Sequence, residues 1–509
     1  MTLPPASSVR KRDWFDALAH LHLIRDLPSP VREACLAEEE LRHLFVFRFL
    51  YFFAFHAPIL VPALQRLCGR ADPALAMLAL GLASVIGIFA EVPTGYYADR
   101  HGPRAALRFG LVLMAGTMLG FCLLTGWQVA AAPVPGTAWL PGTIGIFVLE
   151  AAMGVALALI SGADTVFFLQ VASRAHITGL SDTAFEGIGA AIRASGTMIA
   201  VALGSLLYSA AALCSVERAR ALAQGSVFLL TFAAQVLALR ALSRIRPVPR
   251  TSAARRPGGL GEAASALRTA APWAERLWLL GVCLAVCMFL AYLLQAPLSR
   301  LTEERSAISV RWLVVYPVCM VLGWWAARQG ARLYYAHTQG QGRAAQGPSR
   351  IALFLCAPAL VLLYPGVQAG LRALGLPRGA AARLVPLLAA FLLANLGRGF
   401  LEPLSRTFVL RQAATERLLH PTTLVSAFST GVRVLHSLLS VLFAWALARA
   451  AGEKAGDDAH IGAGLAAFGG AVTLVLGAGL VAGRAGLYAA RRRSLGGSAQ
   501  GQSDQSDVE

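Results

Sequence analysis

Apolar runs of about twenty residues, repeated about twelve times along the chain and separated by short polar turns, are the feature that most narrows what it can become. A run of that length crosses the roughly 30 Å hydrocarbon core of a bilayer as an α-helix, which satisfies its own backbone hydrogen bonds where no water is present. The spans run roughly 43–66, 73–98, 105–127, 141–170, 184–212 and 223–243, then 273–296, 311–328, 350–371, 381–402, 421–449 and 460–488. Of the 509 residues, 57% are hydrophobic and 14% charged, and the mean hydropathy is +0.61. A water-soluble chain of this size would coat its core with charge. The expectation is an all-α integral membrane protein with the lipid bilayer as its solvent.

A formal net charge of +18 raises nucleic acid as a partner, but the arginines form no single patch and are not interleaved with aromatics. They fall between alternate spans: Arg10, Lys11, Arg12, Arg25, Arg32 and Arg42 before the first, Arg240 to Arg268 between the sixth and seventh, Arg491 to Arg493 after the last. Positive charge on the cytoplasmic side then puts both termini in the cytoplasm. Arg372 and Arg378, in outer loops, run against this pattern. The first forty residues contain four prolines and no unbroken apolar core, so no cleaved signal peptide is expected. Within them, Trp14 to Leu21 is either a short interfacial helix or a loosely ordered lead-in. The expected division is a cytoplasmic segment 1–42, a six-helix bundle 43–243, a basic Pro/Gly/Ser-rich linker 244–272, a second six-helix bundle 273–490 and a disordered tail 491–509.

Gly95-Tyr96-Tyr97-Ala98-Asp99-Arg100-His101-Gly102-Pro103-Arg104 recurs as Gly323-Trp324-Trp325-Ala326-Ala327-Arg328-Gln329-Gly330-Ala331-Arg332, with both glycines and both outer arginines at the same spacing. Two related halves follow from that duplication. The pattern Gly95-x-x-x-Asp99-Arg100-x-Gly102-x-Arg104 resembles the signature loop between helices two and three of the major facilitator superfamily, and Glu91-Val92-Pro93-Thr94 upstream resembles a bacterial branch of it. The resemblance implies two pseudo-symmetric six-helix bundles and a carrier that works by alternating access. In chemical terms Gly95 permits close helix approach, and Gly102 permits the positive backbone angle of a tight turn. Arg100 and Arg104 suit anionic lipid and helix-end carbonyls, and Asp99 can accept bonds from a helix N-terminus or an arginine. Such a loop either latches the two halves in one conformation or merely anchors topology. Gly323, Arg328, Gly330 and Arg332 carry the second copy, in which Ala327 replaces the aspartate.

Ionisable residues inside the spans point to mechanism, because each costs several kcal/mol in hydrocarbon unless it meets a cavity or a partner. The fourth span holds Glu150 and Asp164, about 40° apart in helical angle and roughly 21 Å apart along the axis. Asp164, within Ser161-Gly162-Ala163-Asp164, resembles a polar spot of related carriers, although Gln170 stands where that pattern has an acid. Glu91 falls near the inner end of the second span. Glu186 and Arg193 share a face of the fifth about 10 Å apart, and Arg193 is a candidate partner for Asp164. Arg398, Glu402 and Arg406 form a four-residue stripe on the tenth span, with Asn395 a turn before it. Arg433, near the middle of the eleventh span, calls for a carboxylate or an anionic substrate, with His436 a turn later and His56 in the first span completing a set that could line a cavity.

Interhelical ion pairing is the reading for Glu186, Arg193, Asn395, Arg398, Glu402 and Arg406. Substrate or coupling contact is the reading for Glu91, Glu150, Asp164, Arg433, His436 and His56. An unpaired buried carboxyl favours proton coupling, whereas a standing arginine opposes it. The fifth span is a small-residue face around Gly196 and Gly204 and lacks the Gly-Pro pair of many drug/proton antiporters. No Gly-x-x-x-x-Gly-Lys-Ser/Thr run occurs, so ATP is not the expected energy source. The eight cysteines show no ligand spacing, so no disulfide, metal or cofactor is expected, and the short loops argue against an enzyme. The function expected is secondary transport of a small molecule by a monomer, with protons as coupling ion and an anionic or zwitterionic metabolite as cargo. The alternatives are drug or metabolite efflux, or a non-transporting sensor or scaffold on the same fold.

Overall fold

The fold is described from a computed structural model for residues 38–57, 60–67, 73–130, 139–174, 182–212, 217–247, 274–293, 318–319, 321–330, 380–415 and 421–450. Its helices are α1 (Glu39–Leu50), α2 (Leu60–Leu67), α3 (Pro73–His101), α4 (Pro103–Ala130), α5 (Trp139–Arg174), α6 (Asp182–Ala212), α7 (Glu217–Arg244), α8 (Ala274–Leu293), α9 (Ala380–Thr415) and α10 (Pro421–Ala450), with a further helical stretch over 321–330. Among the described residues five helices, α3 to α7, are long and apolar enough to cross a membrane. The spans expected at 350–371 and 460–488, Arg332, most of the linker, the lead-in helix and the tail lie outside the described residues.

The first span is two helices, interrupted over Tyr51 to Ala57. Proline supplies the reason: Pro58 has no N–H to continue the ladder and disfavours helical backbone at Ala57, while Pro62 falls in the first turn of α2, where a proline is tolerated. Carbonyls freed at the break find donors on neighbouring helices. Gln235 of α7 donates to the Tyr51 carbonyl at 2.8 Å and Thr197 of α6 to that of Phe52 at 3.1 Å. Gly196 and Gly204 let the α6 backbone lie directly against the carbonyls of Phe49 and Phe55, where a Cβ would collide.

The apolar core of the first half gathers α1, α4, α5, α6 and α7 around Phe45, Phe168 and Phe185, whose rings stack or meet edge-on at 4.5–5.9 Å. Between the halves, α10 lies along α3 and touches α5, and α9 packs on α6. Glycines set those approaches. Gly162 of α5 sits against the Thr422 carbonyl and the Ser426 hydroxyl of α10; within the first half, Gly154 of α5 sits likewise against the Ala83 carbonyl of α3.

The two copies of the repeated loop are not the same turn. Gly102 has φ 92°, a left-handed conformation that joins α3 to α4, and it alone does so among the glycines described. Gly330 is helical and packs against Leu396 and Phe400 of α9, while Gly323 faces the Phe391 ring.

Candidate functional site

The carboxylates and arginines scattered along the sequence converge on a buried charge network about ten residues, or roughly 15 Å, inside the end of the bundle that carries the Gly102 turn. Asp164 of α5 is its centre. Arg406 of α9 donates to it at 3.1 Å, Arg48 of α1 stands 3.8 Å away, Arg193 of α6 4.0 Å away, and the Tyr51 hydroxyl donates to it as well. Glu186 binds Arg48 at 3.0 Å, and Glu402 takes Arg193 at 2.8 Å, Arg406 at 2.9 Å and Arg398 at 3.9 Å. The Thr165 hydroxyl bridges, donating to Asp164 and lying 3.1 Å from Arg406. Among the described residues, four guanidiniums thus face three carboxylates.

A second pair stands apart. Glu91 of α3, fully buried, meets Arg433 of α10 at 3.0 Å and accepts from the Ser161 hydroxyl at 2.9 Å. Gly87, one turn before Glu91, gives the Arg433 guanidinium its space.

Three of these bridges join the two halves: Glu91 with Arg433, Asp164 with Arg406, and Arg193 with Glu402. A buried ion pair gains little over an apolar contact, yet removing one partner leaves a charge whose desolvation goes uncompensated. Bridges of this kind hold two surfaces together as long as water is kept out, and they release once water reaches both charges.

Other expected members stand elsewhere. Asn395 donates to the Phe391 carbonyl of its own helix at 2.9 Å, so its amide is turned back along α9 instead of adding to the arginine stripe. His56 lies against Thr231 and the Phe228 ring of α7, away from the network. His436 is within electrostatic reach of Arg398 and Arg433. Arg398 also sits over the ring of Trp324, in the second copy of the repeat, at 5.2 Å. Glu150 is 2% exposed and has no ion pair or hydrogen bond to another described residue.

At the turn itself, Arg104 donates to the carbonyls of Leu242 and Ser243, which end α7, at 3.3 and 2.9 Å. Those contacts lie within the first half. Nearby, Glu40 accepts from the Arg246 backbone at 2.7 Å and pairs with Arg174 at 3.4 Å, tying together α1, α5 and the exit of α7.

Sequence reasoning missed Arg48, Tyr51, Ser161 and Thr165. Arg48 carried a signal, since it is a cation inside the apolar run Leu44 to Phe55, and Ser161 stands in the polar run around Asp164; Tyr51 and Thr165 carried none.

The sequence matches no family model and no curated protein. Solved structures do match in three dimensions. A D-xylose–proton symporter superposes with a TM-score of 0.58 at 13% identity, over 85% of this chain and 94% of that one. FucP, a major facilitator superfamily transporter in the outward conformation, gives 0.53 at 16% identity over 85% and 96%. A bacterial homologue of the iron transporter ferroportin in its outward-facing state gives 0.53 at 14% identity over 86% and 98%. With its helices in this order, and coverage of nearly the full length of these proteins, the chain has the all-α membrane fold of the major facilitator superfamily.

Proposed function

We propose that this protein is a secondary transporter that carries a small molecule by alternating access, as a monomer in the bacterial inner membrane with both termini cytoplasmic. Residues 43–243 and 273–490 act as its two moving halves. The observation that carries the reading is the set of three buried ion pairs across the half-to-half seam, each with at least one carboxylate or guanidinium almost wholly out of water. A static scaffold gains nothing from so many desolvated charges, because apolar packing would serve it as well. A carrier needs a seam that closes firmly and opens when water enters.

Cargo and coupling follow from the charge balance. Among the described residues the network holds one more guanidinium than carboxylate, which favours an anionic or zwitterionic metabolite that brings a carboxylate of its own. Glu150, buried without a cation among the described residues, supports proton coupling, since a carboxyl there can gain and lose a proton without breaking an ion pair. One of the matched structures is a D-xylose–proton symporter, so coupling to a proton is compatible with the fold.

The test is flux into proteoliposomes against a panel of organic acids and amino acids. Wild type should move at least one of them, and Asp164→Asn should abolish that movement while expression and folding are retained. A protein that moves no member of the panel under any ion gradient favours the sensor or scaffold reading instead.

A further inference from the structure

The outward surface of α4 carries Phe109, Val112, Gly116, Leu123 and Trp127 in one exposed line at helical spacing, with Phe109 and Val112 each 53% exposed. The opposite face of the same helix, with Leu107, Leu111, Met118 and Phe121, is buried against the bundle. In a membrane fold such an exposed apolar line faces acyl chains. At the Gly102 end it runs into a groove of about 460 Å³ lined by His101, Arg104, Arg108, Phe109, Val112 and Pro247.

That groove has the chemistry of a phosphate site at headgroup height. Arg108 is exposed and has no acidic partner among the described residues, and it is near enough to Arg104 for the two to repel. Arg104 is fixed in place by the α7 carbonyls it caps. Glu40, an acid within electrostatic reach of it, is engaged by Arg174 and the Arg246 backbone. His101 is held against Tyr97, its ring stacked at 4.3 Å and its Nδ1 3.1 Å from the Tyr97 carbonyl. The volume is roughly fifteen times a water molecule's ~30 Å³ share of the liquid, room for a glycerophosphate rather than for a lone small ion.

We propose that this groove binds an anionic phospholipid of the adjoining leaflet, with its phosphate between Arg108, Arg104 and His101 and one acyl chain along Phe109, Val112 and the line beyond them. Charge and shape agree on that occupant: fork-shaped guanidinium donors for the phosphate, and a continuous apolar track leading away along the membrane normal. Because Pro247 and the capped end of α7 form one wall, a bound lipid also braces the junction of α4 with α7.

Native mass spectrometry of the full-length protein tests this. The protein is incubated with equal amounts of phosphatidylglycerol and phosphatidylcholine of the same chain composition. Wild type should retain phosphatidylglycerol in preference. Arg108→Gln should lose about fivefold of that preference, the factor that about 1 kcal/mol per surface arginine represents. Arg108→Lys should restore most of it, and Arg240→Gln, an exposed arginine of α7 outside the groove, should leave it unchanged. Equal retention by Arg108→Gln and wild type overturns the proposal, as does an equal loss in Arg240→Gln, which would mark general surface charge. Displacement of the lipid by excess glycerol 1-phosphate would show a site for free phosphate and overturn the lipid assignment. None of these outcomes depends on whether the protein transports anything.

Discussion

Arg48 is completely buried, and its charge is met by the Glu186 carboxylate at 3.0 Å, the Asp164 carbonyl at 3.3 Å and the Phe168 ring at 4.0 Å. Three neighbours are needed because a guanidinium taken out of water loses several kcal/mol of hydration that a single partner does not restore. Removing it in Arg48→Ala strands Glu186 and weakens the hold on Asp164, at a cost of about 3–5 kcal/mol. The expected result is a much lower thermal midpoint in detergent, partly recovered in the double variant Arg48→Met/Glu186→Gln, which takes out both charges. Failure of the double variant to recover would mean that Arg48 acts through packing instead. Glu150 is the reverse case, a buried acid with no such company. If it carries the coupling proton, Glu150→Gln should abolish uptake driven by a pH gradient and keep counterflow of substrate across a membrane with no gradient. Both residues were legible as ionisable groups in apolar runs. Which of the two has partners was not, since the partners lie up to 138 positions away in the chain.

Among the elements, spans read from apolar runs correspond to helices with ends within a few residues for 73–98, 141–170, 184–212 and 421–449. The tenth span is longer than its apolar run, because α9 continues past Glu402 and Arg406 to Thr415. The apolar run stops at Glu402, but the charged stripe continues the helix, and partners on α5 and α6 let it carry those residues within the protein. The break between α1 and α2 was hidden for the opposite reason, since apolar residues continue through it, and Pro58 was its only local sign. Gly162 shows what close approach contributes. A side chain there meets the α10 backbone and Ser426, so Gly162→Leu should wedge the halves apart at the Gly102 end. Spin labels on α5 and α10 at that end should report a longer distance than in wild type. An unchanged distance would show that the interface absorbs the extra atoms without opening.

In the whole molecule, the charges that face each other across the seam join α3 to α10, α5 to α9 and α6 to α9. If three desolvated pairs close one end, transport stops when they cannot part or cannot re-form, and on the proposed proton coupling the driving force is a pH gradient. Flux should therefore rise with an imposed pH gradient and collapse on addition of protonophore; flux indifferent to protonophore would remove the proton and leave the carrier. Length, apolar periodicity and the duplicated loop were enough to determine a helical membrane fold of two related halves, because the bilayer leaves so few ways to satisfy a backbone. Pairing was decided only in three dimensions. Asp164 was open to Arg193 alone from its neighbourhood in sequence, but the packing of α1 and α9 around α5 gives it Arg48 and Arg406 as well, and turns Arg193 toward Glu402. Buried charges choose partners by distance and by exclusion of water, and both are set by how helices far apart in the chain pack together.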